Sequence, residues 1–175
     1  MFTGSVQEAL HTLETQLGHT AVITDPTEVS AASLDGRGRR QGRAIAIIRP
    51  NSTDEVALTL KVAAQYQLIV ITQGGNTSNV GGATPEPTAS NDDAARTLIL
   101  QLGRMRRILE VDPINNTIRL EAGVILQDAQ AAAEQVGRLL ALSLAAEGSC
   151  QIGGVIATNA GGVHVLRYGM ARRQV

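Results

Sequence analysis

Aromatic side chains are nearly missing from this chain: they make up 2% of 175 residues, with no Trp and one Phe. A stacking platform for single-stranded nucleic acid needs such rings, so nucleic acid is not an expected partner. The core must instead be aliphatic, and the 43% of apolar residues supply enough Val, Ile, Leu and Ala to build one. A single Cys excludes an internal disulfide framework and a multi-cysteine metal site. No apolar run approaches the roughly 18 residues of a membrane span. Net charge is −1, so no global field draws the chain to phosphate polymers or acidic membranes. The first residues, MFTGSVQEALHTLETQ, carry two acids and no Arg or Lys. They read as neither a secretory signal nor a transit peptide, and a cytoplasmic location is the expectation.

What is present alternates between helical and extended patterns. Val6, Leu10, Leu13 and Leu17 recur at helical spacing and Gly18 is a natural stop, which predicts a helix over 5–18. Residues 19–43 read as irregular. They end in DGRGRRQGR (35–43), a solvated loop by its composition, with a phosphate or partner patch as the alternative. AIAIIRP (44–50) predicts a buried strand, and Ser52 with Glu55 forms a capping-box pattern ahead of a helix whose apolar face is Val56, Leu60 and Ala63. LIVIT (68–72) completes a β-α-β unit. A polar loop over 84–96, a strand at 97–102, a hairpin with strands at 108–112 and 117–122, and an Ala-rich helix over 124–137 follow. LLALSL (139–144) reads as a strand or extended segment, and the tail after 162 shows no closing element.

Two glycine-dense stretches stand out, QGGNTSNVGGA (73–83) and GSCQIGGVIATNAGG (148–162). Each follows an apolar extended segment, where an α/β sheet presents its ligand loops. Glycines let main-chain N–H groups approach a ligand without a Cβ in the way. The first stretch adds the short donors Asn76, Thr77, Ser78 and Asn79 but no Lys or Arg, so a diphosphate held there would rely on N–H groups. The second interleaves Ile152, Val155 and Ile156 with glycine, a tight buried turn or short helix against a flat ligand. The dinucleotide pattern GxGxxG and the P-loop pattern GxxxxGK[ST] are both missing, which excludes a Rossmann site and a P-loop ATPase. His11, His19 and His164 read as surface residues, and Cys150 as a small buried one.

Together with AIAIIRPNSTDEV (44–56), RILEVDP (107–113) and EAGV (121–124), these stretches resemble the FAD-binding domain of the vanillyl-alcohol oxidase/p-cresol methylhydroxylase (PCMH) type. Within it they look most like the D-2-hydroxyglutarate, D-lactate and glycolate dehydrogenase-like FAD-linked oxidases. GSCQIGGVIATNAGGVHVLRYG (148–169) is the longest and most specific match. The resemblance implies an α+β (α/β), two-lobed FAD domain, incomplete at the C-terminus. Residues 1–43 would be a lead-in, 44–102 the first lobe and 103–175 the second. FAD would be the cofactor, its diphosphate between the lobes. Gly74, Gly75, Asn76, Thr77 and Ser78 would line the diphosphate. Gly148, Ser149, Ile152, Gly153, Gly154, Thr158, Asn159 and Gly161 would follow the ribityl chain and ring. Ser78 and Asn79 depart from the Gly and apolar residue usual there. The family continues into a substrate domain with basic residues and metal-binding histidines. No catalytic or metal-ligating residue is therefore assigned to this chain, which alone is expected to be inactive. The alternative is a truncated or degenerate FAD-domain fold without cofactor, acting as an oligomerising or interaction module. A third reading, an enolpyruvyl reductase of cell-wall synthesis, is disfavoured by the 148–162 stretch.

Overall fold

The structure, a computed structural model, describes residues 5–175. Residues 1–4, the start of the segment read as lacking leader character, lie outside the described residues. The chain forms two compact units, Met1–Arg104 and Met105–Val175.

In the first unit, α1 (Val6–Leu17) begins in a reciprocal cap. Glu8 N–H donates to Ser5 Oγ at 3.2 Å, and Ser5 N–H donates to Glu8 Oε2 at 3.0 Å. Ala9 and Leu13 are its fully buried residues, with Leu10 and Leu17 packed beside them, and Gly18 ends the helix at φ +86°. Residues 19–43 are more ordered than their composition suggested. Val22–Ile23 (β1) and Pro26–Ala32 (α2) lie within them. The reason is local. The Asp25 carboxylate accepts from Thr27 and Glu28 N–H, and Pro26 fills the first helical position, where no N–H is needed.

The sheet has strand order β1-β2-β4-β3, with β2 at Ala46–Ile48, β3 at Ile69–Gln73 and β4 at Thr97–Gln101. β1 runs antiparallel to β2; β4 pairs parallel to both β2 and β3. The expected β-α-β unit is thus present, with β4 inserted between its two strands. β2 and β4 are buried on both sides. Ala46, Ile48, Leu98 and Leu100 meet α1 and α3 (Thr53–Gln65), while Ile47 and Ile99 meet Val29 of α2. Such continuous aliphatic runs are what a covered parallel sheet requires. Each fully buried Ile or Leu contributes about 1.5–3 kcal/mol.

The buried face of α3 differs from the expected one. Thr59, Val62 and Ala63 are buried, whereas Leu60 is 47% exposed. Ser52 caps α3 as expected, but Glu55 reaches past it to the Asn51 N–H at 2.8 Å. The loop expected over 84–96 contains a helical turn, α4 (Asn91–Ala94), because Ser90 Oγ accepts from Asp93 N–H.

In the second unit, β5 (Ile108–Asp112) and β6 (Thr117–Leu120) form the expected antiparallel hairpin. Asp112 Oδ1 accepts from Ile114 and Asn115 N–H, and Asn116 takes φ +54° to close the turn. α5 (Leu126–Gln135) is followed by Gly137 at φ +68°. Residues 139–144 form no strand and join no sheet, and the Gln130 side chain donates to Leu142 O at 2.6 Å. The tail does close. After α6 (Ile152–Ala157) come α7 (Val165–Tyr168) and a 3-10 turn at Ala171–Gln174. Ala171 is fully buried and donates its N–H to Ala160 O at 2.8 Å. The core of this unit gathers Val124, Leu126, Ala129, Leu142, Cys150 and Ile152.

Candidate functional site

The first glycine-rich loop leaves the carboxyl end of β3. Gln73, the last residue of that strand, is 2% exposed and works as a clasp. Its Nε2 donates to Ala83 O at 2.7 Å, at the far end of the loop, and to Ala32 O at 2.9 Å. Its Oε1 accepts from Gln101 Nε2 at 2.7 Å, and Gln101 in turn accepts from Arg49 Nε at 2.8 Å. Asn76 sits at φ +51°, the left-handed region where Asn is tolerated, and its side chain donates to Leu34 O at 2.8 Å.

Between these anchors the backbone is unspent. None of the main-chain N–H groups of residues 74–79 donates to an acceptor among the described residues. Gly74, Asn76, Thr77 and Ser78 are half-buried and Gly75 is exposed. Unpaired backbone donors in so short a span are costly unless water or an anion takes them. All five residues expected to line a diphosphate therefore share one loop whose donors are uncommitted.

The arginine-bearing run beside it was read as a solvated loop, and its arginines are indeed exposed. Its glycines are not incidental. A Cβ on Gly36 would stand 2.2 Å from Asn76 O, and one on Gly42 would stand 2.2 Å from Pro85 O. The 35–42 segment thus packs backbone to backbone against the first loop at Asn76 and against Pro85 just beyond it, a closeness only glycine permits. Asp35 fixes the turn by accepting from Arg39 N–H at 2.6 Å and Arg40 N–H at 3.1 Å. These N–H groups, that of Arg40 foremost, hold the Asp35 carboxyl below the usual carboxylate range.

The second stretch is built differently, with most of its backbone satisfied internally. Gly153 N–H donates to Ala122 O at 2.8 Å, Ile152 N–H to Val124 O at 2.9 Å, and Thr158 Oγ1 to Gly154 O at 2.8 Å. Asn159, at φ +52°, accepts from Arg172 N–H at 3.0 Å and so ties down the tail. The Ile152 side chain lies in the core of the unit. Gly148, Ser149, Gly154 and Thr158 are exposed; Gly153 and Gly161 are half-buried. A Cβ on Gly154 would meet no atom within 4 Å, whereas one on Gly153 would press on Ala122 Cβ at 2.8 Å. Gly153 packs α6 down and Gly154 offers a flat, open face.

Cys150 is buried, and its burial pushes the thiol up, with Glu147 adding to the effect, so it is held as the neutral thiol. His11 and His164 are exposed, and the His19 ring pairs with Glu14. Among the described residues no His, Cys, Asp and Glu cluster could hold a metal ion, and no helix is long and apolar enough to cross a membrane.

A family model described as FAD binding domain matches residues 44–175. A probable D-2-hydroxyglutarate dehydrogenase, mitochondrial, of Oryza sativa is 38% identical over 153 residues, covering 87% of this chain and 26% of that protein. A putative D-lactate dehydrogenase, mitochondrial, of Schizosaccharomyces pombe is 38% identical over 146 residues, covering 83% and 26%. The chain therefore spans about a quarter of the length of these relatives. Among solved structures, alkyldihydroxyacetonephosphate synthase superposes with a TM-score of 0.83 at 21% identity, covering 95% of this chain and 32% of that one. p-Cresol methylhydroxylase superposes at 0.66 with 17% identity, covering 90% and 30%. The fold is that of the PCMH-type FAD-binding domain.

Proposed function

The chain belongs to the FAD binding domain family, and from that premise we propose that it is the flavin-holding part of a dehydrogenase that oxidises a 2-hydroxyacid to the 2-oxoacid. The observation that carries the reading is the uncommitted row of N–H groups at residues 74–79, clasped at both ends by Gln73. Gly74, Gly75, Asn76, Thr77 and Ser78 give the FAD diphosphate its main-chain donors, in the manner of a backbone nest. In the second unit Gly154 gives a flat group an open face, with Gly148, Ser149, Gly153, Thr158, Asn159 and Gly161 around it. Ile152 supports that face from the core. When bound, FAD supplies two-electron redox chemistry, accepting the electrons released as the hydroxyacid becomes the oxoacid. This chain's own residues bind and orient; Cys150 and His164 take no part in the reaction.

The names of the relatives support 2-hydroxyglutarate or lactate as the substrate class, and glycolate belongs to the same chemistry. Substrate recognition falls to parts of the whole protein outside these residues, so this chain alone turns nothing over. Titration of the purified chain with FAD tests the binding claim. A perturbed flavin absorption band and a rise in melting temperature are expected, and the absence of both at saturating FAD would sink it.

A second reading, a fold that holds no cofactor and self-associates, draws support from Val163 and Leu166, exposed at 76% and 101%. Sedimentation decides it, a clean monomer counting against. A cytoplasmic location is also part of the proposal. Both relatives carry "mitochondrial" in their names, so fractionation of the source cells separates the two locations.

A further inference from the structure

The first glycine loop has no cation of its own, yet the turn packed against it carries three arginines. Arg37, Arg39 and Arg40 line an open cleft of 270 Å³ together with Asp35 and Asn79. The turn that carries them is fixed. Asp35 N–H donates to Arg40 O and Gly38 N–H donates to Asp35 O, both at 2.9 Å, and Gly36 is clamped against Asn76. Arg40 lies along Gly81, within 3.0 Å of where its Cβ would be, and pairs with Glu86 at 3.3 Å. Arg37 and Arg39 have no acidic partner within ion-pair distance among the described residues.

The acidic groups here cancel only part of this charge: Asp35 is an ionised carboxylate in the lining and Glu86 pairs with Arg40, which leaves a surplus of one positive charge over Arg37, Arg39 and Arg40. Arg37 and Arg39 thus stand two residues apart on a preformed turn that packs, through Gly36, against the loop with the unpaired N–H groups. An anion seated on those N–H groups would gain further from two arginines beside it. Guanidinium groups are moreover the side chains best matched to phosphate oxygens.

We propose that the 35–40 turn is the cationic half of an anion site, in which Arg37 and Arg39 reach the phosphate oxygens of a diphosphate ligand seated on the 74–79 N–H groups. The inference rests on the flavin reading for the identity of that ligand, FAD. It adds that affinity is set by side-chain charge from the preceding turn as well as by the glycine loop.

The test is a titration of the 175-residue chain with FAD, with riboflavin and with inorganic pyrophosphate, over a salt series. The double variant Arg37→Ala/Arg39→Ala is expected to bind FAD on the order of tenfold more weakly at low salt. The gap closes as salt approaches about 0.5 M, where screening is short-ranged. Riboflavin, which has no phosphate, binds both proteins alike. Arg37→Lys/Arg39→Lys recovers most of the loss. Both arginines are exposed, so folding should survive, and Arg37→Gln/Arg39→Gln repeats the measurement if the alanine pair melts early. Equal FAD affinity of wild type and double variant at low salt overturns the inference. So does an equal loss for riboflavin. If the wild type takes no FAD, the flavin reading fails by itself and pyrophosphate judges the cleft. Binding that the double variant loses upholds it, and no pyrophosphate binding overturns it.

Discussion

Replacing Gln73 by leucine keeps the side-chain volume close to native and removes every polar atom from a residue that is 2% exposed. Three hydrogen bonds go with it: two donated to Ala32 O and Ala83 O, and one accepted from Gln101 Nε2. Each is worth about 1 kcal/mol net, and the stranded partners add desolvation cost, so the loss should be at least about 3 kcal/mol. For a chain of this size that lowers the melting temperature by roughly 6–12 °C. The loss is not uniform. Ala83 O lies at the far end of the loop that Gln73 begins, so the variant also releases the loop, and FAD affinity should fall even well below the melting point. Denaturant unfolding of the single variants Gln73→Leu and Gln101→Leu and of the double variant gives the cycle. The shared bond means that the double variant should cost about 1 kcal/mol less than the sum. A Gln73→Leu stability within about 0.5 kcal/mol of wild type, or a strictly additive cycle, refutes the clasp.

Gly162 and Gly154 should part company when each becomes alanine. Gly162 sits at φ +72° with its Cβ position 2.1 Å from Ser143 O, so the change should cost about 2 kcal/mol or more, read by denaturant unfolding. Gly154 lies in α6 with open space around it, so alanine should stabilise the fold by about 0.5–1 kcal/mol while weakening FAD binding. Unchanged FAD affinity of Gly154→Ala would remove that residue from the site. Stability should also fall on the acid side. Glu121 is held below the usual carboxylate range first by the Arg107 guanidinium and then by the Arg107 N–H; Asp112 by the Asn115 and Ile114 groups; Asp35 by Arg40 and Arg39 N–H. A folded-state value below the unfolded one means full stability above about pH 4.5, lost as pH falls through the lower folded values. Melting temperature should be level from pH 8 to about 5 and drop below about 4, and Glu121→Gln should flatten part of that drop. Alanine at Ser5 should cost about 1 kcal/mol by opening the α1 cap.

The chemistry of the site was legible in the chain itself. Glycine where the backbone must come close, Asn where φ is positive, and aliphatic runs at 46–48 and 98–100 are local necessities written residue by residue. Motif order then pointed to the FAD-binding family, because two separate loops carry it. The misread elements have local causes as well. Asp25-Pro26 is a cap followed by a first-turn proline, and Ser90 is another cap, both hidden within polar composition. Leu60 and the buried Thr59 exchanged roles because the seven apolar residues of α3 fit more than one helical face.

What composition could not reveal is what lies beside what. Nothing in the spacing of DGRGRRQGR shows that Gly36 meets Asn76 or that Arg40 lies along Gly81, since these contacts join segments some 40 residues apart. Pairing β4 between β2 and β3 brings Gln101 to Gln73 and makes a clasp from two residues that look like ordinary strand ends. The sequence alone determined that a flexible, donor-rich backbone would follow β3. Only the tertiary structure decided that this backbone is held open, with its N–H groups unpaired and a fixed arginine turn packed against it, because that arrangement depends on long-range packing against glycine.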